Sequence, residues 1–275
     1  MITAAMGTEN GHSIPLAGGK AARLSMLAAD FPVPAGFAVT TEAFQIWQQE
    51  GSALPQVVEA EIDRALGKVS FPVAVRSSGA DEDGSIASFA GMHETFLNLR
   101  QIAAVHGAVL ACWRSAGLDA PAAYRRDRKL NPRSEMAVLV QEMIEADTAG
   151  VAFTANPVTA NKDEILINAA WGLGPSIVDG TVTPDTFVIN KMRPEIIRME
   201  ISDKELMTVP SEGGTQEVPV PKEMRLRPSL TDEQTLEIAR MGIELERILG
   251  WPADYEWAIA GGRLWLLQCR PITTL

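Results

Sequence analysis

The sequence predicts an α+β or α/β protein, and three observations carry that prediction. Short apolar runs of strand character alternate with longer amphipathic runs from one end of the chain to the other. A length of 275 residues suits one large domain or two lobes with a cleft between them. Heptads, internal repeats and low-complexity tracts are all lacking, which argues against bundles, solenoids and fibres.

Taken in order, Gly18-Gly19 precede an Ala/Leu/Met-rich run that predicts a helix over 20–29, closed by Pro32 and Pro34. A short strand is expected over 36–39. Thr41 is placed to cap a helix reaching residue 49, and residues 55–66 form a second amphipathic stretch. The apolar run 72–75 reads as a strand that delivers Arg76-Ser77-Ser78 at its C-terminal end, followed by a polar, glycine-bearing loop over 79–91. A strand over 94–99 and a helix over 102–116 come next. Asn131-Pro132-Arg133-Ser134 is the expected hinge, giving an N-terminal lobe of about 1–131 and a C-terminal lobe of about 134–275. Beyond it, 136–140, 150–153, 165–168 and 186–189 read as strands, and 211–215 as an exposed loop. The longest helical pattern covers 230–249, with Thr231 and Asp232 set to cap its start. Two strands, 255–260 and 264–269, flank Gly261-Gly262 at the end.

Composition narrows the partners. Twenty-four basic and 35 acidic residues give a net charge of −11, which argues against nucleic acid and anionic membrane, since both require a basic surface. A site for an anion must then be a local cluster of cations within an acidic shell. The two cysteines, Cys112 and Cys269, lack metal-ligand spacing and fit a reducing compartment. Residues 1–10 have neither the basic segment nor the apolar core of a secretion signal, and the apolar stretches are interrupted short of a membrane-spanning length. These features predict a soluble, cytoplasmic protein.

Four groups of residues could carry chemistry. Gly18-Gly19-Lys20 offers backbone amides and a mobile cation to a phosphate, although its spacing is not that of a Walker loop and, taken alone, a turn with a solvated lysine is the simpler reading. Arg76-Ser77-Ser78 supplies bidentate donors and two hydroxyls at a strand end, or else a surface ion pair. Residues 88–95 form a small-residue loop able to close over phosphates. In the last two strands Asp254 alternates with Glu256, and Gln268 with Arg270. A two-residue turn at Gly261-Gly262 would put Glu256 and Gln268 on opposite faces, whereas an odd-length loop would put them on one face. On one face they would present oxygen ligands to Mg²⁺ with Arg270 beside them for a phosphate; otherwise the pair is a decorated hairpin.

Together these segments resemble the ATP-binding, ATP-grasp domain shared by pyruvate phosphate dikinase, phosphoenolpyruvate synthase and rifampin phosphotransferase. The resemblance runs in order through Gly19-Lys20, Pro34-Ala-Gly-Phe37, Thr40-Thr41, Val75-Arg-Ser-Ser78 and Ser88-Phe-Ala-Gly91. It continues through Thr95-Phe-Leu-Asn98, Val140-Gln-Glu-Met143, Ala149-Gly-Val-Ala-Phe-Thr154 and Asn156-Pro-Val-Thr159. Trp171-Gly-Leu-Gly174, Val182-Thr-Pro-Asp185, Tyr255-Glu-Trp257 and Leu267-Gln-Cys-Arg-Pro271 complete it.

The resemblance implies two lobes with the nucleotide in the cleft between them. It implies that Lys20 and Arg76 hold the ATP phosphates, with Gly91 and Thr95 in the loop above them. Gln141 and the stretch Glu142, Met143 and Ile144 would hold adenine, Glu256 and Gln268 would bind Mg²⁺, and Arg270 would bind phosphate near the transferred group. Lys20, Arg76 and Arg270 are the catalytic candidates. In the family, ATP phosphorylates a histidine on a swivelling domain and AMP is released. This sequence ends a few residues after Arg270-Pro271, so the histidine and the acceptor-binding domain are expected on a separate protein or subunit. Phenylphosphate synthase divides these roles in that way. A phenol or pyruvate is the expected acceptor. The chain's own histidines, His12, His93 and His106, lack the small, hydroxyl-rich surroundings of a carrier, and Asp81-Glu82-Asp83 reads as a solvated loop. The competing functions are a nucleotide-sensing regulatory subunit and a free-standing ATP-grasp ligase.

Overall fold

Antiparallel pairing organises both halves of the chain. The computed structural model describes residues 1–51, 53–79, 94–116 and 135–273, and it divides into two units, residues 1–143 and 144–275. The expected hinge 131–134 lies outside the described residues. The division falls later than expected because residues 136–142 form a strand bonded on both sides to strands of the first unit.

The first unit contains β1 (Thr3–Ala5), α1 (Ile14–Leu27), β2 (Gly36–Val39), α2 (Thr41–Glu50), α3 (Gln56–Leu66), β3 (Val73–Gly79), β4 (Thr95–Leu99), α4 (Ile102–Ala116) and β5 (Met136–Glu142). Its sheet has the order β1-β2-β5-β3-β4. Alternation along the strands sorts the side chains. Phe37, Val39, Val73, Val75, Val138 and Val140 join Phe44 of α2, Val58 and Ile62 of α3 and Val109 and Trp113 of α4 in one core. The other face carries small residues, Ala4, Ala38, Ala74 and Ala137, and α1 lies close to β5 and β3.

Three local expectations are corrected here. Helix α1 begins at Ile14, before the glycines, and is kinked at Gly18, whose φ of 76° is outside the helical region. Thr40, not Thr41, caps α2 by accepting from the Ala43 amide at 3.3 Å, while the Thr41 hydroxyl donates to the Pro15 carbonyl at 2.8 Å. Strand β3 does not end at Val75. It runs on to Gly79 because Arg76 through Gly79 pair with Leu139 through Met136, so Arg76 sits mid-strand.

The second unit adds β6 (Thr148–Phe153), β7 (Glu164–Trp171), α5 (Pro175–Val178), β8 (Asp185–Asn190), β9 (Glu195–Glu200), β10 (Leu206–Ser211), β11 (Gly214–Pro219), α6 (Lys222–Arg225), α7 (Asp232–Leu249), β12 (Ala253–Ala260) and β13 (Arg263–Pro271). Six of these strands form a sheet in the order β13-β12-β6-β7-β8-β9, and β10 and β11 make a separate hairpin whose turn occupies the predicted loop. Helix α7 starts at a full capping box between Thr231 and Gln234 and stops at Gly250 in the left-handed region. Its Ile238, Ala239 and Leu245 bury one face of the sheet, made of Ala152, Ile165, Ile167, Phe187, Ile189, Tyr255 and Trp257. The Tyr255 hydroxyl donates to the Ile238 carbonyl at 2.7 Å, and burial pushes its phenol pKa well above the ordinary value. Gly242 makes room for this ring, since a Cβ there would lie 2.6 Å from the Tyr255 oxygen. Among the described residues no helix is long and apolar enough to cross a membrane.

Asp185 ties three distant segments together. Its buried carboxylate accepts from Lys204 Nζ at 2.6 Å, the Ser202 amide at 3.0 Å, and the amide and hydroxyl of Ser229, both at 2.8 Å. Both members of the Asp185–Lys204 pair are fully buried. Removing one would strand the other's charge, at a cost of about 3–5 kcal/mol. Asp185→Ala should therefore lower the urea midpoint by that equivalent, and the double variant Asp185→Ala/Lys204→Met should recover part of the loss.

Candidate functional site

In the first unit the cations are set by a break in α1. At Gly18 the chain presses so close to β3 that a Cβ would lie 1.9 Å from the Ser78 carbonyl oxygen. The Ser78 hydroxyl stitches the break, accepting from the Ala21 amide at 3.1 Å and donating to the Ala17 carbonyl at 2.9 Å. Ser78 is thus consumed as a structural group. Lys20, on the first turn after the break, is 7% exposed, and its Nζ donates to the Ser77 carbonyl at 3.0 Å. Arg76 points from the same face of the sheet as Ser78, with exposed Thr95 directly opposite it on β4. Lys20, Arg76 and Thr95 are therefore brought together around one stretch of β3, the local cation cluster that an acidic chain needs for an anionic ligand. Gly91, His93, the acidic run 81–83 and the rest of the 88–93 loop lie outside the described residues.

The end of β5 is braced. The Gln141 side chain is buried and donates to the Pro34 carbonyl at 3.0 Å; the Glu142 carboxylate accepts from the Ser70 amide at 2.7 Å. The Glu142 and Met143 amides donate to the Ala35 and Pro72 carbonyls at 2.8 and 2.9 Å. Ile144 begins the second unit.

The second unit answers the register question that the last two strands pose. The turn is the two-residue one, with Ala260 opposite Arg263, which by itself would send Glu256 and Gln268 to opposite faces. A bulge intervenes. Trp257 pairs with Leu266 but Glu256 pairs with Gln268, so Leu267 is the extra residue and the ladder beyond it is shifted by one. Glu256 and Gln268 are then direct cross-strand neighbours on one face, and Asp254 and Arg270 are the next pair on that face. The Arg270 Nε donates to Asp254 at 2.8 Å, from a side chain half exposed to a carboxylate that is nearly buried. Asp254 was not among the expected site residues, although its alternation with Glu256 was the available signal. It fixes the guanidinium of Arg270 beside the Glu256–Gln268 pair.

The face itself is the one not covered by α7. It continues through Val151 and Phe153 on β6 and Leu166 and Asn168 on β7. The Gln268 Oε1 is buried and has no hydrogen-bond partner among the described residues. A buried acceptor left unmet costs about 1–3 kcal/mol, so its presence points to a ligand. The other histidines have ordinary roles: exposed His12 closes a turn, and His106 bonds Asp63 at 2.8 Å.

Residues 50–275 match the model of the pyruvate phosphate dikinase AMP/ATP-binding domain. The chain belongs to that family. A probable phosphoenolpyruvate synthase from Methanocaldococcus jannaschii is 35% identical over 95% of this chain and 26% of its own length. The phosphoenolpyruvate synthase of Pyrococcus furiosus is 41% identical over 78% of this chain and 28% of its own. A rifampicin phosphotransferase from Streptomyces sviceus is 32% identical over 95% of this chain and 35% of its own. The chain thus spans about a quarter to a third of these relatives. Among solved structures, D-alanine–D-alanine ligase from Helicobacter pylori aligns with 91% of this chain and 52% of its own at 11% identity and a TM-score of 0.39; family membership rests on the sequence matches.

The residues fit a magnesium ion. A carboxylate and an amide oxygen, Glu256 and Gln268, are hard ligands on one face, and Mg²⁺ takes its remaining ligands from phosphates and water. Gln268→Leu should remove the unmet acceptor and raise the melting free energy of the free protein by about 1 kcal/mol. If Gln268 holds Mg²⁺, ATP and Mg²⁺ together should raise the parent's melting temperature and the same variant should lose that increase, which paired thermal melts would read.

Proposed function

We propose that this chain is the ATP-binding catalytic portion of a dikinase-type phosphotransferase of the ATP-grasp type. The observation that carries the proposal is the bulge at Leu267, which pairs Glu256 with a Gln268 whose buried oxygen lacks a partner among the described residues. Family membership and the Lys20–Arg76 cluster support it.

Lys20 and Arg76 hold the ATP phosphates together with Thr95 on β4, and Gly91 belongs to the same set by the family resemblance. Gln141, Glu142, Met143 and Ile144 line the adenine. Glu256 and Gln268 hold Mg²⁺, which when bound neutralises charge on the phosphate oxygens. Arg270, steadied by Asp254, binds the group in transit. Such catalysis is positioning and charge stabilisation with little covalent chemistry by these residues.

The acceptor is a histidine on a partner domain or subunit. Release of AMP requires the linkage between the α- and β-phosphorus atoms to break. AMP keeps the bridging oxygen and its electron pair, the histidine nitrogen bonds the β-phosphorus, and the ring proton goes to solvent. After the terminal phosphate is lost to water or orthophosphate, the remaining phosphoryl group passes to a small acceptor, a phenol or pyruvate. That acceptor site belongs to the partner, as does the choice between the two.

Incubation with ATP and Mg²⁺, with and without a candidate partner that carries a histidine-bearing domain, tests the proposal through AMP release and acid-labile phosphate on protein. AMP should form only with the partner, and Lys20→Ala or Arg270→Ala should each slow it by about a hundredfold or more. ATP binding without AMP under every condition would instead mark a nucleotide sensor, and ADP as product a ligase.

A further inference from the structure

Asn168 is a polar residue where the fold has little use for one. It lies on β7, bonded on one side to β6 and on the other to β8, within the run Ile165-Leu166-Ile167-Asn168-Ala169-Ala170. Asn is disfavoured in strands, and a central position offers its side chain no turn or cap to satisfy. Ile165 and Ile167 turn into the α7 core, so Asn168 stands on the opposite face.

That face holds the magnesium candidates, and the register puts Asn168 in their row. Gln268 lies opposite Glu256, Glu256 opposite Val151, Val151 opposite Asn168, and Asn168 opposite Thr186. Adjacent strands are about 4.8 Å apart, so Asn168 stands roughly 10 Å from Glu256 across the sheet. A nucleotide anchored by its phosphates at Glu256 is long enough to reach it.

The Thr186 hydroxyl decides what Asn168 offers. It donates to Asn168 Oδ1 at 3.1 Å, occupying the amide's acceptor end. The Nδ2 hydrogens meet no acceptor among the described residues, and the side chain is half exposed. The row thus presents oxygen ligands at one end and an oriented N–H donor at the other, with Val151 between them.

We infer that Asn168 is a nucleotide-binding residue that donates through Nδ2 to an oxygen of bound ATP, and that Thr186 is the positioning residue that turns the amide towards it. The inference rests on the ATP-binding reading above. A phosphate oxygen and a ribose hydroxyl share the required chemistry, and different nucleotides distinguish them.

Titration calorimetry on the full chain with Mg²⁺ and either ATP or AMP is the test, with thermal melts of each free variant alongside. Asn168→Ala should weaken ATP binding at least tenfold while the free protein's melting temperature stays within a few degrees. If AMP binding weakens equally, the acceptor is the ribose or the α-phosphate, which the same titration with adenosine separates; if AMP is unaffected, it is a phosphate beyond the first. Thr186→Val should reproduce a smaller loss, and Thr186→Ser should restore the parent affinity. Parent-like ATP affinity in Asn168→Ala overturns the inference while leaving the ATP-binding reading intact. A parent chain that fails to bind ATP defeats that reading instead. Weaker binding that tracks a collapse in melting temperature, with no rescue by Thr186→Ser, also overturns it, by making the Asn168–Thr186 pair a purely structural clasp.

Discussion

In a ladder of antiparallel strands, each side chain's face is set by counting from the turn. The last two strands of this protein must satisfy two demands that such counting sets against each other. The tight Gly261-Gly262 turn keeps Leu264 and Leu266 in step with Ile259 and Trp257 for the core. The same count continued would drive Gln268 and Arg270 in among the apolar side chains under α7. Leu267 absorbs the conflict as the one extra residue of the bulge, and beyond it Cys269 faces inward beside Tyr255 while Gln268 and Arg270 face outward. The chemistry-bearing face of the second unit depends on that shift.

Both units follow one scheme. Each has an antiparallel sheet with one face sealed by helices and a second face where polar groups stand among small or apolar neighbours. In the first unit the seal is α2 to α4, and α1 lies against the other face through alanines and glycines. In the second the seal is α7, with Gly242 admitting the Tyr255 ring. A sheet committed to its core on one side can change residues on the other at little cost to folding, and that freedom lets an unmet acceptor such as Gln268 Oε1 persist.

Much of this was legible in the sequence. Strong periodicity and strong punctuation located α3, α4, α7 and β2 closely, since Pro55, Thr231 and the valine-rich runs act locally. The choice of Glu256, Gln268 and Arg270 was legible as alternation, but their common face was not, because a bulge is decided by the fit of a whole hairpin to a core. Strands β9, β10 and β11 were missed for a related reason: most of their side chains are partly or fully exposed, so no apolar pattern marks them. The length of β3 and the position of the division after Met143 depend on pairing with β5, a segment some sixty residues away in sequence, and no local signal reports such a partner. Asp254 was legible as alternating with Glu256 but not as a site residue, because it steadies Arg270 and a steadying carboxylate has no motif of its own.

The knot at Asp185 has a consequence for how this architecture can vary. It grips the chain at Ser202–Lys204 and again at Ser229, so the excursion between those points, which includes the β10–β11 hairpin, leaves and re-enters the unit through fixed doors. The hairpin touches the sheet connection through a main-chain bond from Leu173 to Thr208. Length could be gained or lost at its Glu212–Gly213 tip without displacing the strands that carry Glu256 and Gln268. The protein thereby carries a mounting point where an appendage could be grafted onto a sheet that stays put.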